Sequence, residues 1–249
     1  MITLRSEREI EYIREASRIT AQTLTRLAAA AKPGITTLEL DEMAEEYIRS
    51  CGAVPSCKGY YGFPGSICAS VNEVVVHGIP NHRKLKNGDI ISIDLVVNKN
   101  GYHGDSTITI PIGHVAPKTM HLLKITEECL FKGIEQCQVG NHIGDISHAI
   151  QVHAESHGYG VVREFVGHGI GSEMHEEPEV PNFGLPGHGV RLEAGMVLAI
   201  EPMINMGTER VRTLEDGWTV ITRDKKPAAH FEHTVVITDH GPEITTLRD

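Results

Sequence analysis

Two acidic residues occupy strand positions where an apolar residue would be expected. Residues 90–108 read as two apolar strands joined by a polar turn, with Asp94 in the middle of the first strand and Asp105 opening the second. Burying an isolated carboxylate costs on the order of several kcal/mol or more, so buried carboxylates are normally paired, bound to metal or neutralised. The two aspartates therefore predict a positively charged ligand.

Strand geometry places both carboxylates on one face of a hairpin. Side chains alternate between the faces of a strand, so Asp94 points away from Ile93. Positions 98–101 (Asn-Lys-Asn-Gly) supply turn chemistry typical of a short hairpin. A loop at 99–100 sets Asp94 directly opposite Asp105, whereas a loop at 100–101 moves the partner by two positions on the same face. Because like charges that face each other destabilise a sheet, a divalent cation between them is the simplest interpretation.

The bulk composition is ordinary for a globular protein. The chain has 249 residues, 40% hydrophobic and 22% charged, and a net charge of −10, which argues against electrostatic binding to nucleic acid or an anionic membrane. No run approaches the 18 or so apolar residues of a membrane span, and the charged N-terminal segment lacks the apolar core of a signal peptide. Five cysteines without a Cys-x-x-Cys pair predict free thiols in the cytoplasm.

Helices are expected where capping signals open an amphipathic segment. Capping boxes at Ser6 and Thr36 open two helices, which positions 32–34 (Lys-Pro-Gly) and Gly52 end. Two further helices are predicted at about 117–139 and 143–157. Strands are predicted up to about residue 112 and again after the fourth helix.

An internal repeat relates the two halves of the chain. The spans Gly34–Gly52 and Gly140–Gly158 have equal length, and "LKNGDIISID" (Leu85–Asp94) aligns with "LEAGMVLAIE" (Leu192–Glu201). Asp94 and Glu201, the acids that end the two aligned segments, therefore occupy equivalent positions in the two halves. The repeat predicts an α+β (α/β) fold with pseudo-twofold symmetry, in which acids from both halves meet on a shared sheet.

Two further residues complete a candidate metal site. Glu232 stands near the start of a β-branched strand, and His168 lies between two glycines that allow close approach of the backbone. An isolated histidine of this kind could also be a loop residue with ordinary hydrogen bonds. The candidate ligands are Asp94, Asp105, His168, Glu201 and Glu232.

The chemistry of this set favours two divalent ions. Four clustered carboxylates repel one another, and two divalent cations cancel their formal charge. An oxygen-rich set with one nitrogen suits Mn²⁺, Fe²⁺, Co²⁺ or Mg²⁺ better than a structural zinc site. A zincin is excluded because "HEEPE" at 175–179 lacks the second histidine of the motif and contains Pro178.

The local strings around these residues resemble those of type 1 methionine aminopeptidases. The strings are "NEVVVHGIP", "DIISID", "GYHGDS", "GHGIG", "HEEPEV", "AIEPM" and "FEHT", and the resemblance covers essentially the whole chain. It implies the pita-bread fold, two halves of helix plus antiparallel sheet around a central curved sheet. It also implies a two-metal centre and removal of the initiator methionine. The short span between His168 and Glu201 leaves no room for the helical insert of type 2 enzymes, and the resemblance is to the short bacterial form.

The resemblance also assigns roles to individual residues. It implies that His77 hydrogen-bonds the substrate and the developing tetrahedral intermediate, that His175 contacts the scissile carbonyl, and that Glu201 moves a proton from water to the leaving amine. The implied methionine pocket consists of Cys57, Tyr60, Phe63, Cys68 and Trp218, with Met174 where relatives often carry an aromatic residue. From the residues alone, the pocket set could equally be plain core, with Cys68 and Trp218 in strand-like runs.

Further expectations concern organisation and partners. We expect one catalytic domain over residues 1–249, with halves of roughly 1–112 and 113–249, acting as a cytoplasmic monomer. The resemblance implies N-terminal methionine peptides of nascent chains as substrates and the ribosome surface as a partner, with no membrane and no nucleic acid needed for catalysis. The alternatives are a proline-specific aminopeptidase, which usually carries a further N-terminal domain, and a non-catalytic binding protein of the same fold, which typically loses metal ligands.

The first two residues predict how the enzyme treats its own chain. In the family that the chain resembles, methionine is removed only when the next residue is small. Ile2 is bulky and β-branched. We therefore expect Met1 to remain, and an Ile2→Ala chain to become a substrate.

Overall fold

The computed structural model describes residues 2–248, so Met1, on which the self-processing expectation depends, lies outside the described residues. The α-helices are α1 (Glu7–Ala30), α2 (Thr37–Ser50), α3 (Pro117–Glu135) and α4 (Ile143–Ser156), and a short 3-10 helix covers Tyr60–Gly62. The strands of the first half are β1 (Val54–Pro55), β2 (Cys68–Val71), β3 (Val74–Val76), β4 (Ile90–Lys99) and β5 (Tyr102–Pro111). Those of the second half are β6 (Gly160–Val161), β7 (Gly167–Gly169), β8 (Glu176–Val180), β9 (Val197–Ile200), β10 (Met203–Asn205), β11 (Val211–Thr213), β12 (Val220–Thr222), β13 (Ala228–His230), β14 (Glu232–Thr238) and β15 (Gly241–Ile244).

The helix starts follow the capping signals, but one end differs. Both predicted capping boxes form, at the starts of α1 and α2. The third helix ends at Glu135 instead of near residue 139. The chain turns there so that the backbone N–H of Gly140 reaches the carbonyl of Leu192, 2.9 Å away, which a longer helix would prevent.

A nine-stranded sheet organises the molecule. Its main path runs β1-β4-β5-β14-β9-β7-β8, with β2 on β4 and β15 on β14. On one face, Ile91, Ile93 and Leu95 pack in a core with α1 and α2, and Leu198 and Ile200 pack in a second core with α3 and α4. The helices thus cover one face of the sheet, and the alternate residues of β4 point to the other face.

The repeat predicted from sequence is present in the backbone. The N–H of Gly34 donates to the carbonyl of Leu85 at 2.8 Å, as Gly140 does to Leu192 at 2.9 Å. Gly34 and Gly140 both have positive φ, +100° and +95°, a conformation that favours glycine over other residues. Isolated bridges at Thr36↔Lys84 and His142↔Arg191 extend the match. The two halves therefore share a pseudo-twofold arrangement of helix and sheet.

Two predictions of local character can be compared with the structure directly. All five cysteines are free, and four of them are buried. Within residues 2–248, no helix combines the length and the apolar content needed to cross a membrane.

Candidate metal centre and substrate cavity

The first two carboxylates lie on one face of the β4–β5 hairpin. Asp94 pairs with Thr107 and Val96 with Asp105, which is the register of a loop at positions 100–101. Asp105 lies three residues inside β5, which begins at Tyr102, and not at its opening. Its side chain is buried beside that of Asp94, and both line the same cavity.

Strand β14 lies beside β5 of the hairpin and positions Glu232 next to it. It pairs with β5 so that Glu232 faces Thr107. The Thr107 hydroxyl donates to Glu232 Oε2 at 2.7 Å. The Thr234 hydroxyl donates to the backbone carbonyl of Asp105 at 2.8 Å, which fixes the two strands against each other. Glu232 is therefore held in one orientation beside the two aspartates.

His168 lies in β7, where close packing requires its flanking glycines. A Cβ at Gly167 would lie 2.3 Å from the carbonyl oxygen of Ala199, and one at Gly169 equally close to that of Glu177. The ring Nδ1 of His168 lies 2.9 Å from the carbonyl of Gly169, and because a carbonyl oxygen can only accept, Nδ1 is the donor of this hydrogen bond. Its Nε2 is left with a free lone pair, directed into the cavity.

The carboxylates and this imidazole converge. His168 Nε2 lies 3.8 Å from Asp105 Oδ2 and 3.5 Å from Glu201 Oε1. Ligand atoms of Asp105, His168 and Glu232 all lie within 4.8 Å of one another. All five candidate ligands line one cavity.

Burial dominates the electrostatics of this group. It raises the pKa of Asp105, Glu201 and Glu232 well above the usual range, and the neighbouring carboxylates add to the shift. Burial also raises the pKa of Asp94 and lowers that of His168 to about 3. A site that repels its own negative charge and keeps its imidazole neutral is suited to binding a cation.

Two further observations fit a divalent metal. Asp105 Oδ1 is buried and has no hydrogen-bond partner within residues 2–248, although such atoms are normally satisfied. The Nδ1 contact of His168 with a carbonyl is the usual means of orienting a metal-binding imidazole. The residues present therefore fit a divalent ion held mainly by oxygen.

Sequence reasoning missed one residue of this site. His230 ends β13, is buried, and lines the cavity, with its Nε2 3.4 Å from Glu201 Oε2. Burial lowers its pKa to about 4, so its ring is neutral at neutral pH. The signal was available, because His230 stands two residues before Glu232 and alternation places both on the same face.

An apolar pocket of the same cavity adjoins the carboxylates. The cavity has a volume of about 580 Å³. The predicted pocket residues form one cluster, in which Cys57, Phe63, Cys68 and Met174 are buried and Tyr60 and Trp218 are partly buried. Trp218 lies in the turn before β12, not in a strand, and its ring packs edge-to-face on that of Phe63 with centroids 5.1 Å apart. The interpretation of these residues as plain core is too narrow, because their side chains also line the cavity.

Two neutral histidines flank the carboxylates. His77 has a positive φ of 58° and packs against the rings of Phe165 and Trp218. Burial lowers its pKa to about 4 and also lowers that of His175. The Nδ1 of His175 lies 2.9 Å from the hydroxyl of Tyr60, and its ring centroid is 4.4 Å from that of His168. Both rings can therefore donate a hydrogen bond into the cavity without carrying charge.

Comparisons with known proteins extend these observations to the whole chain. The model of "Metallopeptidase family M24" matches residues 11–239. The chain is 55% identical over 248 residues to the methionine aminopeptidase of Clostridium acetobutylicum, with 99% of each chain covered. The crystal structure of methionine aminopeptidase from Rickettsia prowazekii matches with a TM-score of 0.98 and 44% identity, covering 99% of this chain and 100% of that one. Prolidase from Pyrococcus furiosus matches with a TM-score of 0.81 at 23% identity, covering 99% of this chain and 66% of that one, which shows a common fold alone.

Proposed function

Since this chain belongs to metallopeptidase family M24 and resembles methionine aminopeptidases over its full length, we propose that it removes the N-terminal methionine of polypeptides whose second residue is small. It is a metal-dependent hydrolase. The substrate assignment rests on one observation. A single cavity joins an apolar pocket to four carboxylates and an imidazole.

The pocket suits a methionine side chain. Its walls are thiol, thioether and aromatic groups, and these polarisable surfaces accept a flexible thioether well. The edge-to-face contact of Phe63 with Trp218 fixes one wall. Met174 closes the pocket with an adaptable side chain where relatives often carry a ring.

We assign the metal ligands to Asp94, Asp105, His168, Glu201 and Glu232, and we propose that they hold two divalent ions such as Co²⁺, Mn²⁺ or Fe²⁺. When bound, such ions supply Lewis acidity, which polarises the peptide carbonyl and makes water a stronger nucleophile. The Thr107 hydroxyl keeps Glu232 in place, and the Gly169 carbonyl keeps the His168 ring in the binding tautomer.

The remaining polar side chains handle protons and the developing charge. Glu201 takes the proton of the attacking water and gives it to the leaving amine. His77 and His175 donate hydrogen bonds to the substrate carbonyl as it becomes an oxyanion, and such donors are worth most in a site that excludes water. The hydroxyl of Tyr60 holds the ring of His175 in position.

The proposed location in the cell follows from the proposed substrate. Nascent chains present an N-terminal methionine at the ribosome, so we propose a monomer that works in the cytoplasm at or near the ribosome surface. Neither a membrane nor nucleic-acid contact is required for the reaction.

The test is a panel of short peptides with the metal-loaded enzyme. Met-Ala-Ser should lose methionine, whereas Met-Leu-Ser and the dipeptide Gly-Pro should remain intact. Ala-Ala-Ser, which offers the pocket one methyl group, is the control for occupancy of the pocket and should be cleaved far more slowly. Cleavage of Gly-Pro without cleavage of Met-Ala-Ser would move the assignment to the proline-specific peptidases.

A further inference from the structure

Three histidines and a glutamate lie together on α3 and α4, outside the central cavity. His121 and Glu128 belong to α3, His153 belongs to α4, and His157 is the C-cap of α4. The ring centroids of His153 and His157 are 4.8 Å apart, and those of His121 and His157 are 5.8 Å apart. None of the four lines the central cavity. We propose that this helical histidine cluster is a second metal site, which binds a transition-metal ion that prefers imidazole, such as Zn²⁺ or Cu²⁺.

The backbone brings the ligands to one place. His153 and His157 are four residues apart, so their side chains lie on the same side of the helix, a spacing at which two histidines can chelate one ion. Helix α3 approaches closely at Gly133, where a Cβ would lie 2.9 Å from Ile150 Cδ1. Farther along the same helix pair, the ring of His121 lies beside that of His157, with centroids 5.8 Å apart.

Hydrogen bonds leave a ring nitrogen available on two of the histidines. The Nδ1 of His157 lies 2.8 Å from the carbonyl of His153, and the Nδ1 of His121 lies 2.7 Å from the hydroxyl of Tyr159. When Nδ1 donates to such an oxygen, Nε2 carries the lone pair that binds metal. Both side chains are exposed at the surface, so the free nitrogens can be reached from solvent.

The third histidine and the glutamate already form a ligand pair. His153 Nε2 lies 2.8 Å from Glu128 Oε2. With bonds of about 2.0 Å, two ligands of a tetrahedral ion are separated by roughly 3.3 Å, so a small shift admits an ion between them in place of the proton. Glu128 Oε1 is 3.8 Å from Lys124 Nζ, a solvent-exposed contact that a bound ion can displace.

The donor set differs from that of the central cavity. The helical cluster offers three nitrogens and one oxygen, whereas the central set has four carboxylates and one imidazole. Imidazole-rich sites suit Zn²⁺ and Cu²⁺, and carboxylate-rich sites suit harder ions. Within residues 2–248, only the central group brings three ligand atoms within 4.8 Å of one another. The helical cluster must therefore close by rotation of His121 and His157, and its affinity should be the lower of the two.

The test separates the two sites by counting ions and nitrogen ligands. The test variant is His153→Ala/His157→Ala, and the matched control is His240→Ala, an exposed histidine in the β14–β15 turn. Native mass spectrometry during Zn²⁺ titration should find one more bound ion in wild type and in the control than in the double variant. Hydrolysis of Met-Ala-Ser should be unchanged in all three proteins, because none of these side chains touches the cavity.

A spectroscopic measurement identifies the ligands. In an Asp105→Asn background, which weakens the central site, Cu²⁺ should give an electron paramagnetic resonance spectrum with splitting from two or more nitrogens. The double variant in the same background should lose that component, and matching far-ultraviolet circular dichroism would show that it is folded. Equal Zn²⁺ counts in wild type and double variant, or a Cu²⁺ spectrum that the double variant leaves unchanged, would overturn the proposal.

Discussion

The two halves of the central sheet share a backbone register but present different side chains to the cavity. In the first half Val96 pairs with Asp105, and the equivalent pair in the second half is Met203 with His230. By the same strand pairing, the equivalent positions are Ser70 and His168, Asp94 and Glu201, Asp105 and His230, and Thr107 and Glu232. Only one of these four positions carries an acid in both halves.

The continuity of the strands differs as well. Strands β4 and β5 each run unbroken for ten residues. Their counterparts are interrupted, between β9 and β10 at Glu201 and Pro202, and between β13 and β14 at Phe231. Proline has no N–H for a sheet ladder, and Glu201 lies in the interruption, directly after the end of β9 and before Pro202. The repeat thus supplies each position twice, and the side chains and strand breaks give the two halves separate roles.

The largest expected effect is the difference in metal content and activity between variants at two equivalent positions, Asp105 and His230. Asp105→Asn should remove metal and activity, because it takes a charge from the centre of the ligand set. His230→Gln at the equivalent position should keep metal, because His230 is not among the proposed ligands and glutamine keeps a neutral polar side chain near Glu201. Metal content by mass spectrometry and hydrolysis of Met-Ala-Ser decide the comparison. Equal metal loss in both variants would show that the two positions act alike.

Chelation provides the parallel experiment on the unaltered chain. Removing divalent ions should abolish hydrolysis, and Co²⁺ or Mn²⁺ should restore it. Retention of activity in thoroughly stripped protein would contradict the metal-dependent assignment.

The second effect concerns His77, a histidine of the first half to which we assign no metal. His77→Ala should lower kcat by about 10²–10⁴, the range for a positioned donor or acid–base group, with bound metal near normal. Because burial holds the pKa of His77 at about 4, its ring is neutral at both pH 6 and pH 8, and the ratio of wild-type to variant kcat should be the same at both. A large loss of metal would instead make His77 a ligand.

Some features of the fold and of the candidate site could be predicted from the sequence, and others could not. Strand parity placed Asp94 and Asp105 on one face, and the repeat led from Asp94 to Glu201. Parity could not choose between two hairpin loops, since both keep the acids on the same face. Alternation from Glu232 also indicates His230, two residues earlier, although the structure divides this run into the separate strands β13 and β14. The end of α3 also depends on a contact with Leu192, far away in sequence, which local pattern does not contain.

A smaller effect tests the fourth pair of equivalent positions, Thr107 and Glu232. Thr107→Val removes the hydroxyl that orients Glu232 and should weaken metal binding by about 10–100-fold, the usual cost of losing such a partner. The matched control is Ser92→Ala on the adjacent strand, whose hydroxyl bonds Thr109 and no candidate ligand. Calorimetric titration with Mn²⁺ should show the loss in the first variant only. Similar affinities in both would mean that the hydroxyl of Thr107 does not position the carboxylate.

The smallest effect concerns the backbone, where the two halves should agree. Gly34 and Gly140 precede equivalent helices at φ of +100° and +95°, so an alanine at either position is strained by about 1–2 kcal/mol. A Cβ at Gly34 meets nothing within 4 Å, and one at Gly140 meets only the Arg191 guanidinium at 3.5 Å, an ordinary contact. Strain from φ is therefore the common cause, and each variant should lower the melting temperature by about 2–8 °C. The double variant should show the sum, since distant sites add, and hydrolysis should be unaffected at temperatures where all variants are folded. Unequal shifts would show that the halves differ in backbone strain as well as in side chains, and the pseudo-twofold comparison would then hold for strand register alone.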